Sequence, residues 1–366
     1  MSTKKDKFTS QDKMYMKFAI NLAKTNDGIT EPNPSVGCLV VKKNKIISYG
    51  VTNVNGRPHA ETIALRKNRK NIAGSTVYLT LEPCSHFGLT PPCTNALIKA
   101  KVNKVIYSHN DIDSRSANRA KKILKSNNIL SKSGLLLKET KKLYNRYIYT
   151  KKNKLPYVTG KLACSSNLYI LKNKSFITNE HSRKISHLLR FKNQGLLTSY
   201  KTINSDNPKL TCRLNGLEKF SPTKIILDKD LKIKSNSFIL KHKNIGKIII
   251  FHNSTNSLKI NYLKKKGAKL IYFKTNKENY FDLREILKKI YSLGICTLLV
   301  EAGKELTSKM ISKQLFNQFY LFKASKAINS TVKIKVFNIK NELDVKFKNK
   351  KIIDTYIDKD KLIHYY

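Results

Sequence analysis

Apolar positions alternate between two rhythms along this chain. Tyr15, Phe18, Ala19 and Leu22 recur at three-and-four spacing and predict a first helix buried on one face. Cys38–Val41 and Ile46–Gly50 flank the polar stretch Lys42–Lys45 and predict a hairpin. A helix over Ala60–Lys67 follows, then a buried strand at Val77–Leu81 and a helix over Thr94–Ala100. A strand at Val105–Ser108 and a helix near Ala117–Lys125 complete the first half. Such a series packs as a sheet with helices on both faces.

Lys138–Lys154 is charged and tyrosine-rich and ends in Leu155-Pro156. It predicts a short helix around Leu143–Tyr147, then a linker, dividing the chain into domains 1–148 and 149–366. The second half repeats the α/β rhythm. Strands are expected at Tyr157–Ala163, Leu196–Leu197, Lys224–Asp228, Lys247–Phe251, Lys269–Phe273, Thr297–Val300 and Phe319–Phe322. Helices are expected at Ser182–Arg190, Asp282–Ser292 and Gly303–Ser312. The pattern assigns no element beyond about Ala327, and no internal repeat is present.

With 366 residues, two domains can each bury a core without disulfides. The six cysteines are scattered, which fits a reducing, cytoplasmic setting. Cys38, Cys164 and Cys296 sit among apolar or small residues and are expected to be buried thiols. The first residues carry no apolar stretch of a secretory signal, and no run is long enough to span a membrane. Lys and Arg number 72 against 24 Asp and Glu, a net charge of +48. The charge is spread along the chain with no long basic block, which argues against specific nucleic-acid recognition. It suits the capture of small polyanionic ligands, and it predicts weak non-specific nucleic-acid binding in low salt.

The chemistry concentrates in His59-Ala60-Glu61, Pro83-Cys84 and Cys93. One imidazole and two thiolates can hold a zinc ion and leave its fourth position to water. Glu61 lies beside the first ligand and need not bind metal. It can take the water proton and pass it to a ring nitrogen and a leaving amine, as base and then acid. His59 and Glu61 fall at the start of one predicted helix, and Cys93 opens another, where free N–H groups favour thiolate and hydroxide.

The stretches Glu31-Pro-Asn-Pro-Ser-Val-Gly37, Pro58-His-Ala-Glu61 and Thr80-Leu-Glu-Pro-Cys-Ser-His-Phe-Gly-Leu-Thr-Pro-Pro-Cys93 resemble the bifunctional deaminase/reductase family of riboflavin biosynthesis. Nucleic-acid and free-cytidine deaminases usually carry P-C-x-x-C, whereas eight residues here separate Cys84 from Cys93. The resemblance implies a pocket for a pyrimidine ribosylamine phosphate, with Asn33 and His86 contacting substrate. The family usually has Lys or Arg where this chain has Leu89.

The second half has no G-x-G-x-x-G. Its reading rests on the same resemblance, carried by Lys161-Leu-Ala163, Phe176-Ile-Thr178, His187-Leu-Leu-Arg190, Thr202 through Asp206 to Arg213, Ile226-Leu-Asp228 and Val300-Glu-Ala-Gly303. The resemblance implies hydride transfer from NADPH to the open imine form of the ribosylamine. It puts Lys161 and Glu301 beside the reacting sugar. Arg190 and Arg213 would hold the substrate phosphate, with Lys174 and the Leu210 backbone in the same pocket. Ala163, Phe176, Thr202, Asp206 and Gly303 map to cofactor-binding positions, Gly303 opening a helix whose N-terminus can face phosphate. The family's S-L-D-G is here Ser165-Ser166-Asn167-Leu168, and the residue usually Trp is Phe176.

The expected fold is α/β: a cytidine-deaminase-like three-layer αβα domain followed by a dihydrofolate-reductase-like α/β domain. The expected cofactors are one zinc per chain and NADPH, and the expected partner is a small phosphorylated pyrimidine. Homo-oligomeric assembly is compatible with this reading. Two other classes stay open: a monofunctional deaminase with an inactive second domain, and a basic nucleic-acid-binding or editing deaminase.

Overall fold

The computed structural model describes residues 8–171, 177–242, 246–329, 333–353 and 359–366. The chain divides into two compact units, Met1–Lys154 and Leu155–Tyr366.

In the first unit the elements run α1 (Ser10–Thr25), β1 (Gly37–Lys42), β2 (Lys45–Val51), α2 (Ala60–Lys67), β3 (Thr76–Leu81), α3 (Cys93–Lys99), β4 (Lys104–His109), α4 (Ala120–Ser126), β5 (Leu130–Ser133), α5 (Leu137–Leu143) and α6 (Asn145–Asn153). The sheet order is β2-β1-β3-β4-β5. The β1–β2 and β1–β3 pairs are antiparallel, whereas β3–β4 and β4–β5 are parallel. Strand period sorts the core into two layers. Cys38, Val40, Val77, Leu79, Val105 and Tyr107 face the layer that holds α2, α3 and α4. Leu39, Val41, Tyr78 and Ile106 face α1 and the start of α5. This is the expected three-layer αβα arrangement.

Thr9 and Asp12 cap α1 reciprocally, with Asp12 N–H donating to Thr9 Oγ1 at 3.0 Å and Thr9 N–H to Asp12 Oδ2 at 2.9 Å. α1 crosses β1 at Gly37, where any β-carbon would overlap the Ala19 carbonyl. The buried side of α1 is Tyr15, Met16, Ala19, Ile20 and Ala23, and Phe18 is 48% exposed. The expected inward place of Phe18 is therefore corrected: Met16 and Ile20 extend the stripe the other way round the helix. The expected linker after Tyr147 is also corrected. α5 and α6 meet at Tyr144, and α6 runs to Asn153.

In the second unit the elements run β6 (Tyr157–Cys164), β7 (Tyr169–Leu171), α7 (Glu180–Phe191), β8 (Gly195–Ser199), α8 (Tyr200–Asp206), β9 (Thr223–Leu227), α9 (Phe238–Lys241), β10 (Ile248–His252), α10 (Ser257–Lys265), β11 (Ala268–Tyr272), α11 (Leu283–Ser292), β12 (Thr297–Val300), α12 (Lys304–Ser312), β13 (Gln318–Lys323), β14 (Lys333–Lys335), α13 (Phe337–Lys346), β15 (Lys350–Ile353) and β16 (Lys361–Tyr365). Among the described residues, nine strands form one sheet in the order β11-β10-β9-β8-β12-β6-β13-β16-β15. Pairing is parallel from β11 to β13 and antiparallel across β16 and β15. β7 and β14 make a separate antiparallel ribbon. The C-terminal ends of β6, β8 and β12 lie side by side, the usual place for ligands in an open α/β sheet.

The turn after β6 is Ser165-Ser166-Asn167-Leu168. Leu168 adopts φ 60°, a conformation that favours glycine. Asn167 explains its own presence. Its Nδ2 donates to Ile328 O at 3.1 Å while its Oδ1 accepts from Ile328 N–H at 3.1 Å. An aspartate could make only the second of these bonds. Cys38 and Cys164 are buried as expected, whereas Cys296 is only partly so.

Candidate active sites

In the first unit, Pro58 leads into α2 with His59 as its N-cap and Glu61 in its first turn. β3 ends at Leu81 and delivers Cys84 three residues on, and Cys93 is the first residue of α3. His59 Nδ1 lies 3.3 Å from Cys93 Sγ and 3.7 Å from Cys84 Sγ. All three donor atoms lie within 4.8 Å of one another. A tetrahedral zinc with ordinary Zn–N and Zn–S bonds needs ligand atoms roughly 3.5–3.8 Å apart, so this donor set fits that ion. The Cys93 N–H donates to Cys84 Sγ at 3.2 Å. The hydrogen bond with the Cys93 thiol, helped by His59, outweighs burial and lowers the Cys84 thiol to about 4. Glu61 is 4% exposed, and burial followed by the Cys84 charge raises its carboxyl above the usual range.

A buried relay of hydroxyls braces this site from behind. Gly37 N–H donates to Thr80 Oγ1 at 2.9 Å, Thr80 meets Tyr144 Oη at 2.5 Å, and Tyr144 Oη donates to Ser35 O at 3.2 Å. Asn33 is held by Nδ2 donation to Gly56 O at 3.1 Å, which leaves its Oδ1 for a ligand. Gly56 has φ 78° and abuts Asn33, so both its backbone and its lack of a side chain set that contact.

His86 Nδ1 contacts Ser116 Oγ at 2.6 Å, and Ser116 Oγ also accepts from Ser85 N–H at 3.2 Å. Ser116 is fully buried. Its loop is gathered by Glu82, whose carboxylate accepts from the N–H groups of Asp111, Asn118 and Ala120 at 3.0–3.1 Å. Sequence reasoning missed Ser116 and Glu82. Ser116 belongs to no spacing pattern, Glu82 sits within the Thr80–Cys93 stretch without chemistry of its own, and only the fold brings residue 116 to residue 86.

In the second unit, β6 presents Lys161 and Ala163, and Glu301 follows β12. Arg190, in the last turn of α7, meets Glu301 at two points, Nε–Oε1 2.7 Å and Nη2–Oε2 2.9 Å. Its Nη1 donates to Thr211 O at 3.1 Å. The guanidinium fork expected to grip phosphate is thus taken by a carboxylate, because α7 aims it at the end of β12. Arg213 is exposed and, among the described residues, has no carboxylate partner. Burial would raise the Glu301 carboxyl, but Arg190 and then Lys161 outweigh it and hold it at about 2. Burial lowers the Lys161 ammonium, partly offset by Glu301. His187, which carried no assignment, has Nδ1 3.1 Å from Thr211 O. Burial and the two arginines push it down to about 4. His187 and Arg190 together pin Thr211, between the buried Leu210 and Arg213.

Gly303 is the N-cap of α12, and a β-carbon on it would lie 3.9 Å from Thr202 Oγ1. Thr198, at the same strand ends, is fully buried and its Oγ1 has no protein partner. A helix N-terminus beside the Thr202 hydroxyl fits the phosphates of a nucleotide cofactor. Asp206 is exposed one turn further along α8, bonded to the Ser205 hydroxyl. Lys174 and Phe176 lie outside the described residues.

Comparison with known proteins follows this division. Residues 9–109 match the cytidine and deoxycytidylate deaminase zinc-binding region, and residues 156–352 match the RibD C-terminal domain. The riboflavin biosynthesis protein RibD of Aquifex aeolicus is 34% identical over 93% of this chain and 95% of its own. RibD of Escherichia coli K12 is 29% identical over 87% of this chain and 89% of its own. Acinetobacter baumannii RibD superposes with a TM-score of 0.84 at 27% identity, covering 97% of this chain and 98% of that one. The Thermotoga maritima diaminohydroxyphosphoribosylaminopyrimidine deaminase/5-amino-6-(5-phosphoribosylamino)uracil reductase gives 0.79 at 27% identity, with the same coverage. With both domains matched in order and relatives aligned over nearly its whole length, the chain belongs to the RibD family of riboflavin biosynthesis proteins, two-domain enzymes that join a zinc-binding deaminase to a reductase.

Proposed function

We propose that the first unit hydrolyses the 2-amino group of 2,5-diamino-6-ribosylamino-4(3H)-pyrimidinone 5′-phosphate. The second unit then reduces the ribosyl group of the resulting uracil derivative to ribityl with NADPH. The observation that carries the first half is the convergence of His59, Cys84 and Cys93 with the unliganded Glu61. Zinc held by these three would supply the Lewis acidity that makes water a usable nucleophile near neutral pH. Glu61 takes one proton from water and gives it to the ring nitrogen, then takes the second from the newly added hydroxyl and gives it to the departing ammonia. Its buried, raised carboxyl suits that exchange. Asn33 and His86 hold the ring and its substituents.

In the second unit, Lys161 and Glu301 face the sugar carbon that accepts hydride. NADPH would supply that hydride from a site formed by Ala163, Thr202, Asp206 and Gly303. Lys161 stabilises the charge on the reacting nitrogen and oxygen. Glu301, kept ionised by Arg190, fixes the ammonium and the sugar hydroxyls. Arg213 takes the substrate phosphate, and the Leu210 backbone lines the same pocket. Arg190 serves that pocket by orienting Glu301 and Thr211 rather than as a free fork. Among the described residues no helix is long and apolar enough to cross a membrane, and the partner of this chain is a small molecule.

The test is to give the zinc-loaded protein the diaminopyrimidinone ribosylamine phosphate with NADPH, following ammonia and NADPH absorbance together. Ammonia with NADPH oxidation supports both halves. Ammonia alone overturns the second, and no ammonia overturns the first.

A further inference from the structure

The loop between Cys84 and Cys93 carries Phe87 and Leu89 almost fully outward, at 75% and 88% exposure. Leu89 stands where the family resemblance leads one to expect a cation. A cation nevertheless reaches this loop from another element. Arg57, two residues before the ligand His59, donates from Nη1 to Thr90 Oγ1 at 2.6 Å. Its Nη2 and the Nε2 of His86 converge on Gly88, lying 3.6 and 3.8 Å from the point where a β-carbon would stand. Gly88 therefore leaves open the space between the guanidinium and the imidazole. Arg57 is half-buried and, among the described residues, has no carboxylate partner.

A partly desolvated guanidinium without a counter-charge is costly unless a ligand supplies one. Thr90 occupies one N–H and fixes the plane of the fork, and the remaining donors match the oxygens of a phosphate monoester. We propose that Arg57 is the phosphate-binding cation of the deaminase site, oriented by Thr90 and joined by His86 Nε2 across Gly88. The inference deepens the functional reading above and rests on it, since it assumes that the pyrimidine ribosylamine arrives with its 5′-phosphate. Binding at this place would set the distance between the phosphate and the ring carbon over the zinc ligands. Arg57 would then select phosphorylated over unphosphorylated ribosides.

The experiment compares the zinc-loaded full chain with Arg57→Gln on the phosphorylated substrate and on its dephosphorylated riboside. Arg57→Gln should raise KM for the phosphate ester at least tenfold. Its kcat should stay within about threefold, one zinc per chain should be kept, and the poor activity on the riboside should not change. Adding Leu89→Lys to Arg57→Gln should recover most of the lost affinity, because that side chain projects freely from the same loop. An unchanged KM for the ester, or an equal loss on ester and riboside, would overturn the proposal. Calorimetric titration with ribose 5-phosphate reads the same contact without turnover. It is done in an Arg213→Gln background so that the second unit's proposed phosphate contact is removed. Equal affinity with and without Arg57 would refute the inference even if neither protein deaminated the pyrimidine. A tenfold loss would support it on its own.

Discussion

Arg190 and Glu301 form a two-point ion pair, Nε–Oε1 2.7 Å and Nη2–Oε2 2.9 Å, that joins the end of α7 to the residue after β12. Both side chains are only about one-eighth exposed, at 13% and 12%. The carboxylate is thereby fixed in charge and direction beside Lys161. Glu301→Gln should lower the rate of NADPH oxidation by about 100-fold and leave ammonia release intact. Arg190→Ala leaves a buried carboxylate without its partner, and should destabilise the second unit by about 3 kcal/mol in denaturant unfolding.

Glu61→Ala separates metal binding from proton transfer. The variant should retain one zinc per chain by elemental analysis, lose deamination by about 10²–10⁴-fold, and keep reductase activity on pre-deaminated substrate. Loss of zinc would instead make Glu61 a ligand.

Acid should weaken the second unit through two groups that shift in the same sense. His187 is pushed down to about 4 from an ordinary value near 6.5. The unfolded chain therefore binds the extra proton first. The stabilisation is complete above about pH 6.5 and is lost as pH falls towards 4. Glu301, held at about 2, continues the loss from about pH 4.5 down to 2. Each group contributes a slope of at most about 1.4 kcal/mol per pH unit. Thermal midpoints from pH 7 to 4 should fall for the wild type. For His187→Gln they should fall less steeply above pH 4.5, and a parallel fall would remove His187 from this account.

Ser116→Ala should raise KM for deamination about tenfold with zinc retained, because His86 then loses the 2.6 Å contact that sets its ring. Ser116→Thr, which keeps the hydroxyl, should restore part of the effect. Equal loss in both variants would assign Ser116 a packing role alone.

The zinc site was readable because its chemistry is written in residues that have few other reasons to occur in that order. His59, Glu61 and Cys93 also fall at helix starts that Pro58 and Pro92 announce, and Cys84 follows the end of a buried strand. The strands were readable from their apolar runs, β12 and β13 almost to the residue. What escaped was whatever depends on partners distant in sequence. Residue 116 gains its meaning from residue 86, and Arg190 from Glu301. α8 and α10 were missed because each shows the core little more than one side chain, Ile203 and Leu263. The C-terminal strands were missed because β15 is mostly exposed and reads as a polar stretch. The departures at Asn167 and Leu168 were legible as changes. That an amide there can both donate to and accept from Ile328 is a fact of the fold alone.

β16 lies between β13 and β15, so a strand made late in synthesis occupies an inner place in the sheet. Until Lys361–Tyr365 emerges, β13 must present the apolar sequence QFYLFK as an unpaired edge, a template for pairing with other chains. The period of greatest aggregation risk for a nascent molecule therefore runs from the completion of β13 to the arrival of β16. A ribosome stalled in that interval would hold a finished deaminase fold tethered to an open, adhesive sheet.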